Sequence, residues 1–188
     1  MVFALLMFAC ESSKDKLDTP SSETQVSSDS LLTPEYIVQQ SRIFHGSDKI
    51  DDASITFKFR DYNYEYLKTD SGLVRTRSTL DSMGREVKDR WFSKKLVRTI
   101  DGVGEEISEA REKAYMSSMN SVFYFSFLPK SLLDPAVNLV YIDTVVLNER
   151  EYHKIQVTFD QEGGGDDYED VFLYWFDVED FSMDYLAY

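Results

Sequence analysis

The chain has 188 residues, of which 43% are hydrophobic and 14% aromatic, and it carries a net charge of −14. That apolar load excludes global disorder, and so negative a surface argues against a nucleic-acid partner, because it repels phosphate backbones. The single cysteine, Cys10, excludes an internal disulfide and the multi-cysteine zinc patterns.

Residues Val2–Ala9 are uninterrupted apolar and run straight into Cys10. Eight such residues are too few to cross a hydrocarbon core, which takes roughly 20 in a helix. They suit the short apolar region of a signal peptide. Small Ala9 before Cys10 resembles a bacterial lipobox: the peptidase needs a small side chain at the cut, and the thiol carries the diacylglycerol. Met7 and Phe8 are bulky for their positions and no Lys or Arg precedes the run, so the true start is expected upstream. Glu11–Ser30 holds nine Ser or Thr, one Pro, seven charges and no aromatic residue, the composition of a flexible tether. The expected organisation is therefore a lipoprotein-type signal peptide over residues 1–9, a lipidated Cys10 with a polar tether over 10–32, and one β-rich domain over 33–188.

Thr33 and Pro34 predict a helix start. An apolar stripe at Tyr36/Ile37, Gln40 and Ile43/Phe44 predicts about three amphipathic turns closed by Gly46. His45 sits at the C-terminal end, where a protonated imidazole would suit the dipole. Alternation from Ile55 through Phe57 and Phe59 to Tyr62, Tyr64 and Tyr66 predicts one long strand with a bulge at Asp61. Asp70-Ser71-Gly72 reads as a hairpin turn. Leu73–Leu80 is next, a polar-faced strand, with further strands around Val87–Phe92 and Lys95–Ile100, the last ended by Asp101-Gly102.

Glu105–Asn120 predicts a helix, being charged and free of Gly and Pro. Val122–Leu128 fits either a continuation of it or a buried segment. Pro129 stops that run, and Asp134-Pro135 marks a turn. Strand patterns then occupy Leu139–Leu147, Tyr152–Asp160, Val171–Phe176 and Phe181–Tyr188. Met183–Tyr188 lies in mid-strand pattern, so the reading frame is expected to continue beyond it. Short turns between the runs leave no room for parallel βαβ units. The fold class is α+β, mainly antiparallel β: a curved open sheet or half-barrel of about eight strands on an N-terminal and an internal helix.

Charge is uneven along the chain. Lys58–Arg98 holds eleven Lys or Arg against six Asp or Glu, whereas no basic residue follows Lys154 and ten carboxylates fall between Asp160 and Asp184. Solubility and attraction between neighbouring strands account for this; a basic face meeting an anionic lipid or partner is the sharper alternative.

Four stretches resemble a family of uncharacterised Gram-negative bacterial lipoproteins of outer-membrane type. They are His45-Gly46-Ser47-Asp48-Lys49, Tyr62-Asn63-Tyr64-Glu65-Tyr66, the Leu128-Pro129 to Asp134-Pro135 segment, and Tyr152–Gly165. The resemblance spans about residues 34 to 188, and its members run on past this C-terminus. The strand–helix–strand layout is also similar to the open half-barrel of LolA/LolB-type lipoprotein carriers, a fold-level analogy that does not fix function. Some members of the family bear the label deoxyribose-phosphate aldolase. That enzyme is a (β/α)₈ barrel of about 250 residues with parallel strands, and neither feature is legible here.

Candidate chemistry is sparse. His45 and His153 are the only histidines, and no Gly-x-Ser-x-Gly elbow accompanies them. Both read as cap or strand residues. Asp160, Glu162, Asp166 and Asp167 form a weak Ca²⁺ candidate, oxygen-rich but without the EF-hand spacing. A solvated acidic hairpin tip is the plainer reading. Lys58 and Lys154 lie on the polar phase of their strands, which disfavours Schiff-base chemistry. The aromatic residues Phe57, Phe59, Tyr62, Tyr64, Tyr66, Trp91, Phe159 and Trp175 are the positive feature. They could line one concave face for a lipid or acyl chain, or form core under the N-terminal helix.

The sequence thus points to an envelope-anchored lipoprotein, facing the periplasm or the cell surface, held to the membrane by its lipid and binding a hydrophobic ligand. Neither catalysis nor a cofactor is expected. The alternatives are a hydrolase of envelope glycans or lipids, and a structural interaction module of the outer membrane.

Overall fold

In the computed structural model, residues 32–164 and 168–188 are described. Helix α1 (Pro34–Phe44) starts as its sequence dictates: Thr33 Oγ1 accepts from the Tyr36 N–H at 3.2 Å, and Pro34 occupies the first turn. Its buried face is Ile37, Val38 and Ser41, whereas Tyr36, Ile43 and Phe44 are exposed. The inward stripe is thus displaced from the one the apolar spacing predicts. The imidazole of His45 fixes that end of the helix. Its Nε2 accepts the Met183 N–H at 2.9 Å. A 3₁₀ segment, Ser47–Asp52, comes next.

Six strands form a meander in sequence order: β1 (Ser54–Phe59), β2 (Tyr62–Thr69), β3 (Gly72–Leu80), β4 (Glu86–Phe92), β5 (Lys95–Ile100) and β6 (Val103–Glu105). The phase break at Asp61 is a hairpin and not a bulge. Arg60 takes φ 54° and Phe59 pairs with Tyr62 across the turn. A shift in alternation marks both devices equally, which is why periodicity alone could not separate them. Asp101 and Gly102 both take positive φ, 47° and 78°, the geometry of a tight hairpin. Asp101-Gly102 ends β5 as expected, and the chain doubles back there into β6.

Pairing of β6 with β5 uses up Val103–Glu105, so α2 (Glu109–Ser126) starts later than its charge pattern suggests. Ser108 caps it, and Glu112 Oε1 accepts the Leu96 N–H at 2.8 Å, bolting the first turn to β5. Val122–Ser126 continues the helix. After the 3₁₀ segment Lys130–Leu133 come β7 (Val137–Leu147), β8 (Arg150–Phe159), β9 (Phe172–Asp177) and β10 (Met183–Ala187), ordered β10-β9-β8-β7. A register shift between Tyr141 and Asp143 bulges β7.

Every pairing is antiparallel, the opposite of an aldolase barrel. The α+β class and the open, helix-covered sheet stand as expected. The described strands number ten instead of about eight, and they divide between two sheets.

Each helix covers one sheet. Met119, Phe123 and Phe127 of α2 pack on Tyr64, Tyr66 and Leu96 of the first. Ile37 and Val38 of α1, with Leu132, pack on Ile155, Val157, Phe172, Tyr174 and Phe176 of the second. The α2 side of the first sheet also buries charge. Asp89, 2% exposed, accepts from Arg77 Nε at 2.8 Å and from Arg98 Nε and Nη2 at 2.7 and 2.9 Å. The Tyr115 ring lies 3.7 Å beneath the Arg98 guanidinium. Among the described residues no helix is long and apolar enough to cross a membrane.

Candidate functional site

Strands are two-sided, so the residues facing α2 follow from register. Counting outward from the Asp70-Ser71 turn places Arg75 opposite Tyr66 and Arg77 opposite Tyr64. The cations of β3 therefore share the aromatic side and not the solvent side that a polar-faced strand implies. Arg77 is taken by Asp89. Arg75 lies between the Trp91 ring, 4.5 Å from its guanidinium carbon, and the Tyr66 ring, 5.9 Å away. Its buried Nε has no hydrogen-bond partner among the described residues. Burial holds the group below its ordinary pKa, yet arginine keeps its charge inside proteins.

Arg75 opens onto a cavity of about 260 Å³ where the two sheets, the end of α2 and the adjoining 3₁₀ segment meet. Helix α2 contributes Asn120, Phe123, Tyr124 and Phe127, spaced i, i+3, i+4 and i+7 and hence one helical stripe. Val137 and Phe159 come from the second sheet, and Gly163 and Gly164 from the loop after β8. A Cβ at Gly164 would lie 2.8 Å from Phe159 Cβ and 2.9 Å from Tyr168 Cβ and would strike the Asp160 carbonyl. Only glycine lets this loop come so close to the wall.

Lys130 is the second cation in the lining. Its Nζ lies 3.1 Å from Asp51 Oδ1, and the same oxygen accepts from the Tyr66 hydroxyl at 3.1 Å. Burial raises the Asp51 carboxyl, but the hydrogen bond and charge of Lys130 outweigh it and leave the group below its usual range. Burial, assisted by Asp51, pushes the Tyr66 phenol up to about 12. Burial likewise raises Tyr124 to about 12, and its hydroxyl has no hydrogen-bond partner among the described residues. Both phenols are neutral at physiological pH; the O–H of Tyr66 is held by Asp51. Asp134 also lines the cavity, and its charge adds to the rise at Tyr124. The groups acting on Arg75 are Tyr66 and Asp51. The hollow thus has an apolar wall of Phe123, Phe127 and Phe159 and a cationic end.

The eight aromatic residues singled out from the sequence do not share one face. Phe57, Tyr62, Tyr64, Tyr66 and Trp91 do gather under α2. Phe57 stacks on Tyr64 at 5.2 Å, Phe123 meets Tyr64 edge-on at 5.6 Å, and Phe127 meets Tyr66 at 5.0 Å. These rings are packed core, and the helix packing them is α2 and not α1. Phe59 stands apart in an open groove beside Val122 and Phe125. Phe159 lies across the cavity. Trp175 alternates with buried Tyr174 and Phe176 and so points to the opposite side of its sheet, 5.4 Å from Lys154 Nζ.

Cys10, Asp166 and Asp167 lie outside the described residues. Asp160 accepts from Asn138 Nδ2 at 2.8 Å and Glu162 is exposed. Lys58 is exposed as its phase predicts. His153 is 4% exposed, its Nδ1 3.3 Å from the Tyr141 hydroxyl and its ring stacked on Phe181. Burial lowers its pKa against the opposing pull of Asp177. It does not line the cavity.

Arg75, Lys130, Asp51 and Tyr124 escaped the sequence reading. For Arg75 the signal was present, since the recognised turn fixes its partner as Tyr66. The others join the site only through tertiary contact. No curated protein matches the chain. The family of unknown function DUF6503 matches residues 25–188, and the chain belongs to that family.

Proposed function

We propose that this protein is an envelope-anchored, non-catalytic lipoprotein that binds a small hydrophobic ligand, such as a lipid or acyl chain, in the cavity between its two sheets. The observation carrying this reading is the cavity itself: a hollow of about 260 Å³ beside a filled core, walled by Phe123, Phe127 and Phe159. It lies just below the usual size range of ligand pockets, which fits a small ligand. The anchor is Cys10, and the polar tether behind it gives the domain reach from the membrane surface; stable anchoring requires more than one acyl chain. The half-barrel likeness to lipoprotein carriers agrees with such a role by analogy alone.

Native mass spectrometry of the protein extracted from membranes tests both halves. The expected spectrum shows diacylglycerol mass on Cys10 and a co-purified small lipid that survives desalting. An unmodified thiol removes the anchor, and a consistently empty domain removes the ligand. One observation favours the interaction module as a second reading: Val140 and Ile142 on β7, 49% and 46% exposed, share the outer side of the second sheet with Trp175 and Tyr185, across the Lys154 and Gln156 positions of β8.

A further inference from the structure

We infer that the cavity selects a ligand with an anionic head, a carboxylate or phosphate, seated on Arg75 and Lys130 while the tail lies along Phe123, Phe127 and Phe159. This rests on the ligand-binding reading above and adds the chemistry of recognition.

Arg75 is half-buried, but its Nε is enclosed without a partner among the described residues, and an enclosed donor is costly unless something accepts from it. Arg75 is held in this position by stacking on Trp91, with Tyr66 on its other side, so its donors are oriented before any ligand arrives. A planar fork of donors sharing a cavity with an ammonium suits a two-oxygen anion, and Arg binds carboxylate and phosphate in bidentate fashion. The Tyr66 phenol, kept protonated by burial and by Asp51, donates its one O–H to Asp51 and reaches an incoming anion only by exchanging that acceptor.

Asp51 is the resident counter-ion. It occupies Lys130 and the Tyr66 hydroxyl from a mostly solvent-exposed position on the 3₁₀ segment. An incoming anion competes with it for those donors. Asp134 also lines the cavity, so the anionic head sits at the Arg75 and Lys130 end, away from that carboxylate. The apolar wall then favours an anion bearing a short chain over a bare one.

The test is isothermal titration of the full chain with octanoate, octyl phosphate, octanol, octyltrimethylammonium and inorganic phosphate. Octanoate or octyl phosphate should bind at least tenfold more tightly than octanol, and whichever is tighter identifies the head as carboxylate or phosphate. Arg75→Gln should abolish that preference. Asp51→Asn should tighten the anionic ligand about fivefold by removing a competing charge. Should Arg75→Gln fail to fold, Lys130→Gln and the salt dependence of the titration read the same recognition. Octanol or the ammonium binding as well as the anions overturns the inference but leaves a hydrophobic binding protein. Inorganic phosphate binding as well as octyl phosphate overturns the amphiphile. No binding by any compound, with an empty domain in native mass spectra, overturns both readings.

Discussion

Replacement of Asp89 by Asn tests whether the buried charges of the first sheet act as one unit. The carboxylate is almost wholly enclosed and receives three hydrogen bonds from two arginines. Asn keeps the shape, removes the charge, and leaves Arg77 and Arg98 as buried cations facing each other. Breaking a buried pair in this way costs about 3–5 kcal/mol, a large share of the 5–15 kcal/mol typical of a domain. Burial raises the Asp89 carboxyl, but hydrogen bonds from Arg98 and Arg77 and their charges prevail, so its folded pKa lies below the unfolded value of about 3.9. The stabilisation is therefore complete above about pH 4 and lost as pH falls through the folded value. Urea unfolding followed by tryptophan fluorescence should show a deficit of about 3–5 kcal/mol for Asp89→Asn at pH 7. That deficit should narrow as the wild type is acidified below about pH 4. A deficit under about 1 kcal/mol at pH 7, or one unchanged by acid, would refute the account of a coupled cluster.

Gly164→Ala forces a Cβ against Phe159 and Tyr168, so a loss of about 1–3 kcal/mol in thermal or urea unfolding is expected, with weaker ligand binding as the loop is pushed from the cavity. Phe123→Ala removes a ring that meets Phe57, Tyr64, Tyr66 and Phe127 and should cost about 3–5 kcal/mol by the same assay. His45→Ala deprives the Met183 N–H of its acceptor; a loss of about 1 kcal/mol is expected, with faster amide exchange at Met183, and unchanged exchange there speaks against the contact. Cys10→Ser should move the protein from the membrane to the soluble fraction on fractionation, and persistence in the membrane refutes the lipid anchor.

Local rules carried much of the fold. Thr33-Pro34 set the start of α1, period-two alternation marked the strands, and short polar turns forced neighbouring strands to be antiparallel, because all of these act over a few residues. The hairpin at Arg60-Asp61 reads as a bulge from the sequence, since a break in alternation does not say whether the chain kinks or reverses. The apolar start, Cys10 and the polar stretch behind it form one pattern in the sequence and lie outside the described residues. Tertiary structure decided which aromatic rings became core: α2 lies on Phe57, Tyr64 and Tyr66, whereas Trp175 faces the other way. It decided the site as well. Arg75, Lys130, Asp51 and Phe159 come from segments scattered over more than a hundred residues. Periodicity reports which side of an element is dry, but a cavity exists only where separately folded surfaces meet without filling the space between them.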